Sequence, residues 1–214
     1  MGRIPLGQVD ECFAVDGGSR DGTREFLKES GVRVIEQESK GRGEAFRIAF
    51  DVARNDNLIF FSLDGNEDPN DIPRFKEYFA QGFDMVIASR MCRGAKNEED
   101  DRILKIRKWA NNVFNWAINV IWNHGGNSYI TDSINGYRGI TKKCWEKIRP
   151  DGAGYTIEYQ STIRALKLDL KVAEFPTIEG HRIGGESNAR SIPTGLRFLR
   201  LLFKEILIGK NFLS

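Results

Sequence analysis

Asp64 follows an apolar run, Leu58 to Ser62, in the stretch NLIFFSLDGNEDP at 57–69, and Gly65, Asn66, Glu67 and Asp68 come directly after it. Such a run suits a buried parallel strand, which places Asp64 at the strand's carboxyl end. Open α/β sheets bind their ligands there, and a carboxylate in that place commonly holds a hard divalent cation against a phosphate. Asp16 ends the short apolar run Cys12 to Val15 in the same way and opens the polar loop Gly17-Gly18-Ser19-Arg20-Asp21-Gly22-Thr23. Lys40 and Arg42, in KGRG at 40–43, stand ahead of a helical pattern and can meet an anion at a helix N-terminus. Arg90 follows a further apolar run, and Asp132 and Arg138 lie in TDSINGYRGIT at 131–141. Glu158 stands in a helical stretch, and Arg182 and Ser187 share the loop HRIGGES at 181–187. Taken together, these residue types suit phosphate-bearing ligands.

Each of these residues also has an ordinary structural reading. Asp, Gly, Asn and Pro are the usual turn residues, so 64–69 reads equally as a turn and Asp16 as a turn acid. A single KGRG commonly does no more than cap a helix. Asp132 reads as a cap for the segment after it, and Arg138 as the partner of a structural acid. His124 and His181 read as solvent-facing loop residues.

The elements that would carry these side chains alternate. After Cys12 to Val15 comes a helix with Thr23 as its N-cap, Phe26 and Leu27 facing inward and Gly31 closing it. Val32 to Glu36 reads as a strand, and Phe46, Ala49, Phe50 and Ala53 recur at helical spacing. Asp71 and Pro73 open a helix through about Phe79, and Phe83 to Ser89 is another strand. This alternation implies an α/β fold, a mostly parallel sheet flanked by helices. A long helix spans roughly Arg102 to Asn123; its Trp109, Val113, Trp116 and Val120 share one face, expected to be turned to the core, although tryptophan-rich helices also sit at lipid interfaces. Lys142 to Ile148 and Thr156 to Leu166 read as helices, and Lys171 to Phe175 as a strand. The last segment, Thr194 to Phe212, mixes Leu, Phe and Ile with Arg197, Arg200, Lys204 and Lys210 against the single acid Glu205. Such an amphipathic helix fits a membrane surface as well as it fits packing on the sheet or on a second subunit. The domain division that follows is 1–190 and 191–214.

With 214 residues, the chain has room for one well-buried α/β domain. Its 32 basic and 30 acidic residues nearly balance, so no global field favours nucleic acid. Cys12, Cys92 and Cys144 lack metal-ligand spacing and are expected as buried thiols in a reducing cytosol. No signal peptide is expected ahead of the first strand, and no apolar run approaches the about 18 residues of a membrane span. A cytoplasmic protein is expected, with peripheral contact at the cytoplasmic membrane face open to it.

The order of motifs carries more than any one of them. VDGGSRDGT at 15–23, KGRGEAF at 40–46, FFSLDGNEDPNDIP at 60–73, VIASR at 86–90, TDSINGYR at 131–138 and EFPTIEGHRIGGES at 174–187 resemble the GT-A-fold (Rossmann-related) family 2 glycosyltransferases. Within these, the nearest likeness is to polyprenyl-phosphate (dolichol-phosphate) mannose and glucose synthases. The resemblance implies inverting transfer of a sugar from a nucleotide-diphosphate donor, a UDP- or GDP-sugar, to a polyprenyl phosphate or a glycan, with Mn2+ or Mg2+ as cofactor. It implies donor contacts from Asp16, Lys40, Arg42, Arg90 and Ser187, with Asp64 as the metal-binding acid of the DxD pattern. Asp132 matches an acceptor-side acidic motif in which a catalytic carboxylate is found, and Arg182 with Ser187 matches the loop that closes over the donor phosphates. Arg90, Arg107 or Arg182 would stabilise the charge that gathers on the departing diphosphate.

Three positions depart from the family pattern. Gly17 stands where a second acid is usual, and Ser62 stands in place of the first acid of DxD, a hydroxyl being a poorer metal ligand than a carboxylate. Only 11 residues precede Cys12, fewer than the family's opening strand and helix need, since a βαβ unit takes roughly 30 or more. A strand edge left open there would favour pairing with another chain, as in a homo-oligomer. These departures keep a second reading in view, a non-catalytic relic serving as a binding or assembly subunit. A sugar-1-phosphate nucleotidyltransferase fits less well, because residues 1–22 hold no glycine-rich basic loop at a strand-to-helix junction.

Overall fold

A computed structural model describes residues 6–97, 106–180 and 191–213, with 106–107 and 191–193 described by their backbone. In chain order the elements are β1 (Phe13–Asp16), α1 (Thr23–Glu29), β2 (Arg33–Glu36), α2 (Arg42–Val52), β3 (Asn57–Phe60), α3 (Ile72–Ala80), β4 (Met85–Ser89), α4 (Ile106–Trp122), β5 (Arg138–Thr141), α5 (Lys142–Ile148), α6 (Ile157–Lys167), β6 (Val172–Pro176) and α7 (Ser191–Ile208). Short 3-10 turns at Leu6–Gln8, Pro69–Asp71 and Asn211–Leu213 complete the order.

The expected α/β class is what the chain adopts, with its sheet in two parts. β1 and β2 pair in parallel as one ribbon, and the second sheet runs β3-β5-β4-β6. β4 and β6 are parallel, while β5 lies between β3 and β4 and runs antiparallel to both. The four-stranded sheet is therefore mixed, and β3, expected as a parallel strand, pairs antiparallel with β5. Helix α2 spans the two parts: Phe46 stacks on Phe60 of β3 at a centroid distance of 3.8 Å, and the same apolar cluster takes in Phe13 and Val15 of β1. Burial of this cluster, with Met85, Ile87, Ile140, Ile157 and Ile163 at its centre, is the main force holding the layers together. A second, smaller cluster of Ile72, Phe75, Val86, Tyr137 and Phe175 lies on the other face, under α3.

Several boundaries differ from expectation for local reasons. β3 ends at Phe60, two residues before Ser62, because the Ser62 N–H turns to the Glu67 carboxylate at 2.6 Å and leaves the ladder. Phe83 belongs to the close of α3, its N–H bonded to Tyr78 O past a Gly82 with φ of 82°, so β4 starts at Met85. Thr23 opens α1 as its first residue, with Gly22 in the cap position and Asp21 accepting from the Thr23 hydroxyl and N–H.

Three further expectations are corrected. In α4 the buried side is Phe114, Asn115, Ile118 and Asn119, and the stripe Trp109, Val113, Trp116 and Val120 faces outward. Asn115 and Asn119 account for the inversion. Their amides bind the backbone of Thr131 and Ile130 and the N–H groups of Ser133 and Ile130, drawing the polar side of the helix onto the 130–133 loop. Cys144 is buried, Cys92 is half-buried, and Cys12 is exposed just ahead of β1. Arg138 pairs with no side-chain carboxylate among the described residues. Its guanidinium is fully buried and donates to the carbonyls of Ser133, Asn135 and Glu158.

Candidate active site

Asp16 closes β1 and is buried, and its carboxylate folds back on the loop it starts. It accepts from the N–H groups of Gly18 and Ser19 at 3.0 and 3.1 Å and from the Ser19 hydroxyl. Burial works against its charge, but these hydrogen bonds and Arg24 more than offset that and hold the carboxyl below its ordinary range. Asp16 thus shapes the 17–22 loop. Lys40, exposed at the end of the β2–α2 connection, lies close against Gly18 of that loop.

The turn after β3 brings Asp64 and Glu67 together. Glu67 is half-buried and bridges back to Ser62, while Asp68 caps the 3-10 turn through the Asn70 N–H at 2.9 Å. Burial pushes the Glu67 carboxyl up to about 7. Neighbouring Asp64 adds to the rise, and the Ser62 N–H, Arg42 and Arg90 oppose it. The outer side of this turn lines an open cleft of about 460 Å³ bounded by Gly65 to Asn70 and by Ile178 and Gly180. The Gly180 N–H donates to Asn66 O at 2.8 Å, and the Asn66 amide reaches Glu179 at 3.2 Å, so the segment after β6 forms the far wall.

Two arginines flank the turn. Arg42, the first residue of α2, pairs through Nε with Glu158 at the start of α6 and stacks toward the Phe46 ring. The Glu158 charge, with Glu67 and Tyr155 further off, raises its pKa despite burial. Glu158 is 2% exposed, and its Oε2 is buried with no hydrogen-bond partner among the described residues. Arg90, directly after β4, is held by Asp132 and Glu179, with Nη1 at 3.3 Å from the latter. Burial opposes its charge, yet Asp132 and then Glu179 carry its pKa above the ordinary arginine value. Asp132 is fully buried and both of its carboxylate oxygens receive Arg90. Beneath it, Glu174 of β6 accepts from the N–H groups of Thr131 and Asp132 and from the Thr131 hydroxyl. Burial pushes Glu174 up to about 7.

The structure therefore gathers Arg42, Asp64, Arg90 and Asp132 around one set of strand ends, with Asp16 and Lys40 shaping the adjacent loop. Arg182 and Ser187 lie outside the described residues, as does the side chain of Arg107. Sequence reasoning left out Glu67 and Glu179, and gave Glu158 no first-rank role. Glu67 and Glu179 had a usable signal, each lying within a motif already singled out. Only chain folding joins Glu158 to Arg42.

Among the described residues, no three His, Cys, Asp or Glu side chains converge as a ready-made metal cage. The donor set still fits a divalent cation of the Mg2+ or Mn2+ kind, which takes one or two carboxylates and fills its other positions from phosphate and water. Asp64 with Glu67 beside it supplies that number. Burial is the main cause of the raised Glu67 carboxyl, and a cation held there would favour its ionised, metal-binding form.

Comparison with known proteins follows the same line. The model of the family "Glycosyl transferase family 2" matches residues 6–140. Glycosyltransferase AglJ of Haloferax volcanii is 28% identical over 199 residues, 90% of this chain and 63% of AglJ, so the chain spans less than two thirds of that relative's length. An undecaprenyl-phosphate 4-deoxy-4-formamido-L-arabinose transferase of Pseudomonas aeruginosa is 31% identical over 122 residues, 54% of this chain and 34% of the transferase. In fold, the chain is similar to Mycobacterium tuberculosis glucosyl-3-phosphoglycerate synthase, solved with Mn2+, UDP and phosphoglyceric acid. That match has a TM-score of 0.70 at 18% identity and covers 94% of this chain and 68% of the synthase.

Proposed function

Since the chain belongs to glycosyl transferase family 2, we propose that it moves a sugar, with inversion, from a nucleotide-diphosphate donor to a polyprenyl phosphate at the cleft beside Asp64. One observation carries this reading: Glu67, in the turn after β3, feels the charges of Asp64, Arg42 and Arg90, a group of two carboxylates and two guanidiniums suited to a cation and a pyrophosphate. The Mn2+ and UDP bound by the glucosyl-3-phosphoglycerate synthase support the donor class, and the undecaprenyl-phosphate transferase supports the acceptor class.

Asp64 would hold the cation with Glu67 in support, and the cation would neutralise charge gathering on the leaving diphosphate. Arg42 is the phosphate-facing guanidinium in this reading. Its Nε is fixed by Glu158, and its terminal nitrogens meet no hydrogen-bond partner among the described residues. Arg90 has a different part. With Nε and both terminal nitrogens engaged by Asp132 and Glu179, it ties the end of β4 to the cleft wall and adds positive charge without turning to the ligand. Arg182 and Ser187 would close over the donor.

A phosphate acceptor is already ionised near neutral pH and needs positioning rather than a strong base. A glycan hydroxyl would need one, and for that case Glu158, with one carboxylate oxygen unengaged, is better disposed than Asp132, both of whose oxygens are bound by Arg90. The non-catalytic reading keeps support from Ser62, which stands where a metal-binding acid is usual and whose N–H is turned to Glu67.

Calorimetry with UDP- and GDP-sugars plus Mn2+ tests the donor. Binding heat is expected for the wild type and not for Asp64→Ala at an unchanged circular dichroism spectrum. No heat with any donor favours the non-catalytic subunit, and equal heat from wild type and variant removes Asp64 from the site. Sugar transfer to a soluble glycan but to no polyprenyl phosphate reverses the acceptor assignment.

A further inference from the structure

Helices α4 and α7 both pack on α6, and Phe114 of α4 meets Phe198 of α7 at 5.5 Å where both rings reach Tyr159. Each helix has a second apolar face that is exposed among the described residues. On α4 the spacing of Trp109, Val113, Trp116 and Val120 puts all four on the side opposite Phe114 and Ile118, with Trp109 74% and Trp116 59% exposed. On α7, Leu196, Leu199, Phe203, Ile206 and Leu207 form an outer stripe, in which Phe203 is 62% and Leu207 86% exposed. Phe198, Leu201 and Glu205 take the inner side.

The exposed charges that the two helices themselves carry are basic, although Lys204 is paired with the exposed Asp151 at 2.5 Å. Arg197, Arg200 and Lys204 each follow a stripe residue of α7 and form an exposed row along its edge, with Lys210 exposed just beyond. The one acid of α7, Glu205, is fully buried and bound to Lys167 and Arg164. Helix α4 has no acidic residue at all. No helix among the described residues is long and apolar enough to cross a bilayer.

We propose that the outward faces of α4 and α7 together form a docking surface for an anionic lipid bilayer, lying in its interface with the two tryptophans and Phe203 among the headgroups and acyl chains. Tryptophan beside Arg and Lys rows is the composition of interfacial helices, whose binding combines apolar burial with attraction to anionic lipid. A second copy of the chain fits this surface poorly. A twofold contact through α7 would set Arg197 and Arg200 against their own counterparts with no exposed acid on the helix to pair them. The surface supports the lipid-phosphate acceptor proposed above but is tested without donor or acceptor, so each reading stands or falls by itself.

The full chain is mixed with phosphatidylcholine vesicles and with vesicles that also contain phosphatidylglycerol, and the bound fraction is read by co-sedimentation at low and high salt. The expected result is binding to the anionic vesicles that weakens with salt, as screening requires. Brominated acyl chains are expected to quench tryptophan fluorescence in the wild type, and that quenching should vanish in Trp109→Ser/Trp116→Ser, since the remaining Trp122 and Trp145 are only half-exposed. The same double variant should bind about tenfold more weakly or worse, having lost its interfacial anchors. Arg197→Glu/Arg200→Glu should lose the preference for anionic lipid. All four side chains are at the surface, and unchanged circular dichroism establishes that the variants fold. Absence of vesicle binding by the wild type overturns the proposal, as does binding that neither variant alters. A dimer in sedimentation that Trp109→Ser/Trp116→Ser dissociates, with no vesicle binding, assigns the face to a second copy instead.

Discussion

Arg90 and Asp132 form a two-pronged ion pair, with Arg90 Nε 2.8 Å from one carboxylate oxygen and Nη2 3.0 Å from the other, and the Arg90 N–H also donates to Asp132 at 3.0 Å. The pair fastens the end of β4 to the 131–135 loop across 42 positions of sequence. Removing the charge of Asp132 leaves a largely buried guanidinium without its main counter-charge. Asp132→Asn is expected to destabilise the fold by about 3 kcal/mol, read as a lowered urea midpoint at unchanged m-value. An unchanged midpoint together with lost transfer activity would point to a direct role in catalysis and against a positioning one.

Glu67 and Glu174 give stability a pH dependence of unusual sign. Both carboxyls are pushed up to about 7 by burial, so the folded chain keeps protons between the ordinary glutamate range and neutrality that the unfolded chain has released. Their contribution is fully present below the unfolded pKa and is lost as pH rises through about 7. Unfolding free energy measured from pH 5 to 8 should therefore decline, about one proton's slope for each group at its steepest. Glu67→Gln and Glu174→Gln should each flatten part of that decline. A wild-type profile that rises across the interval would contradict the assignment.

Gly43 lies in the first turn of α2 with its N–H on Ala153 O at 3.2 Å, and a Cβ there would overlap the Gly152 carbonyl. The backbone of 152–153 cannot move without disturbing α6, which carries Glu158. Gly43→Ala is expected to cost about 1–3 kcal/mol as an overpacked contact and to weaken donor binding by separating Arg42 from Glu158. Gly154→Ala, where an added methyl meets open space, is the matched control and should be close to neutral in thermal unfolding.

Much of the site was legible because apolar runs that stop at an acid mark strand ends: Asp16 ends β1, Asp64 lies in the turn that follows β3, and Arg90 directly follows β4. The partners of these residues were not legible. Glu158 lies 116 positions from Arg42, and local patterning says nothing about such a meeting. Arg138 is caged by backbone carbonyls, which every residue carries and which therefore leave no mark in the sequence. The short strand at Arg138 could be read within 131–141, but its antiparallel course between β3 and β4 could not, since four residues without alternation carry no sign of direction. In α4, helical spacing identified the Trp109 stripe but not which side was inward, and the choice fell to Asn115 and Asn119, whose amides find the backbone of 130–133.

The fastening of α7 rests on Glu205. This fully buried acid accepts Lys167 Nζ at 2.7 Å, Gln160 Nε2 at 2.8 Å and Arg164 Nε at 3.1 Å, all from α6. Burial works against its charge, but Lys167, Gln160 and Arg164 more than offset that and depress the carboxyl below its ordinary value. A depressed acid stabilises the fold above its unfolded pKa, and that contribution disappears as pH falls through the folded value. Glu205→Gln keeps the shape but leaves Lys167 and Arg164 with no carboxylate from α7, a loss of about 3–5 kcal/mol for a buried network broken on one side. Because Phe198 and Leu201 pack on the same helix face, the expected consequence is local. Amide hydrogen exchange should rise across α7 in the variant while β4 and β6 stay protected, and acid unfolding of the wild type should begin with the same helix. Uniform loss of protection through the sheet would show that α7 is part of one cooperative core rather than a separately fastened layer.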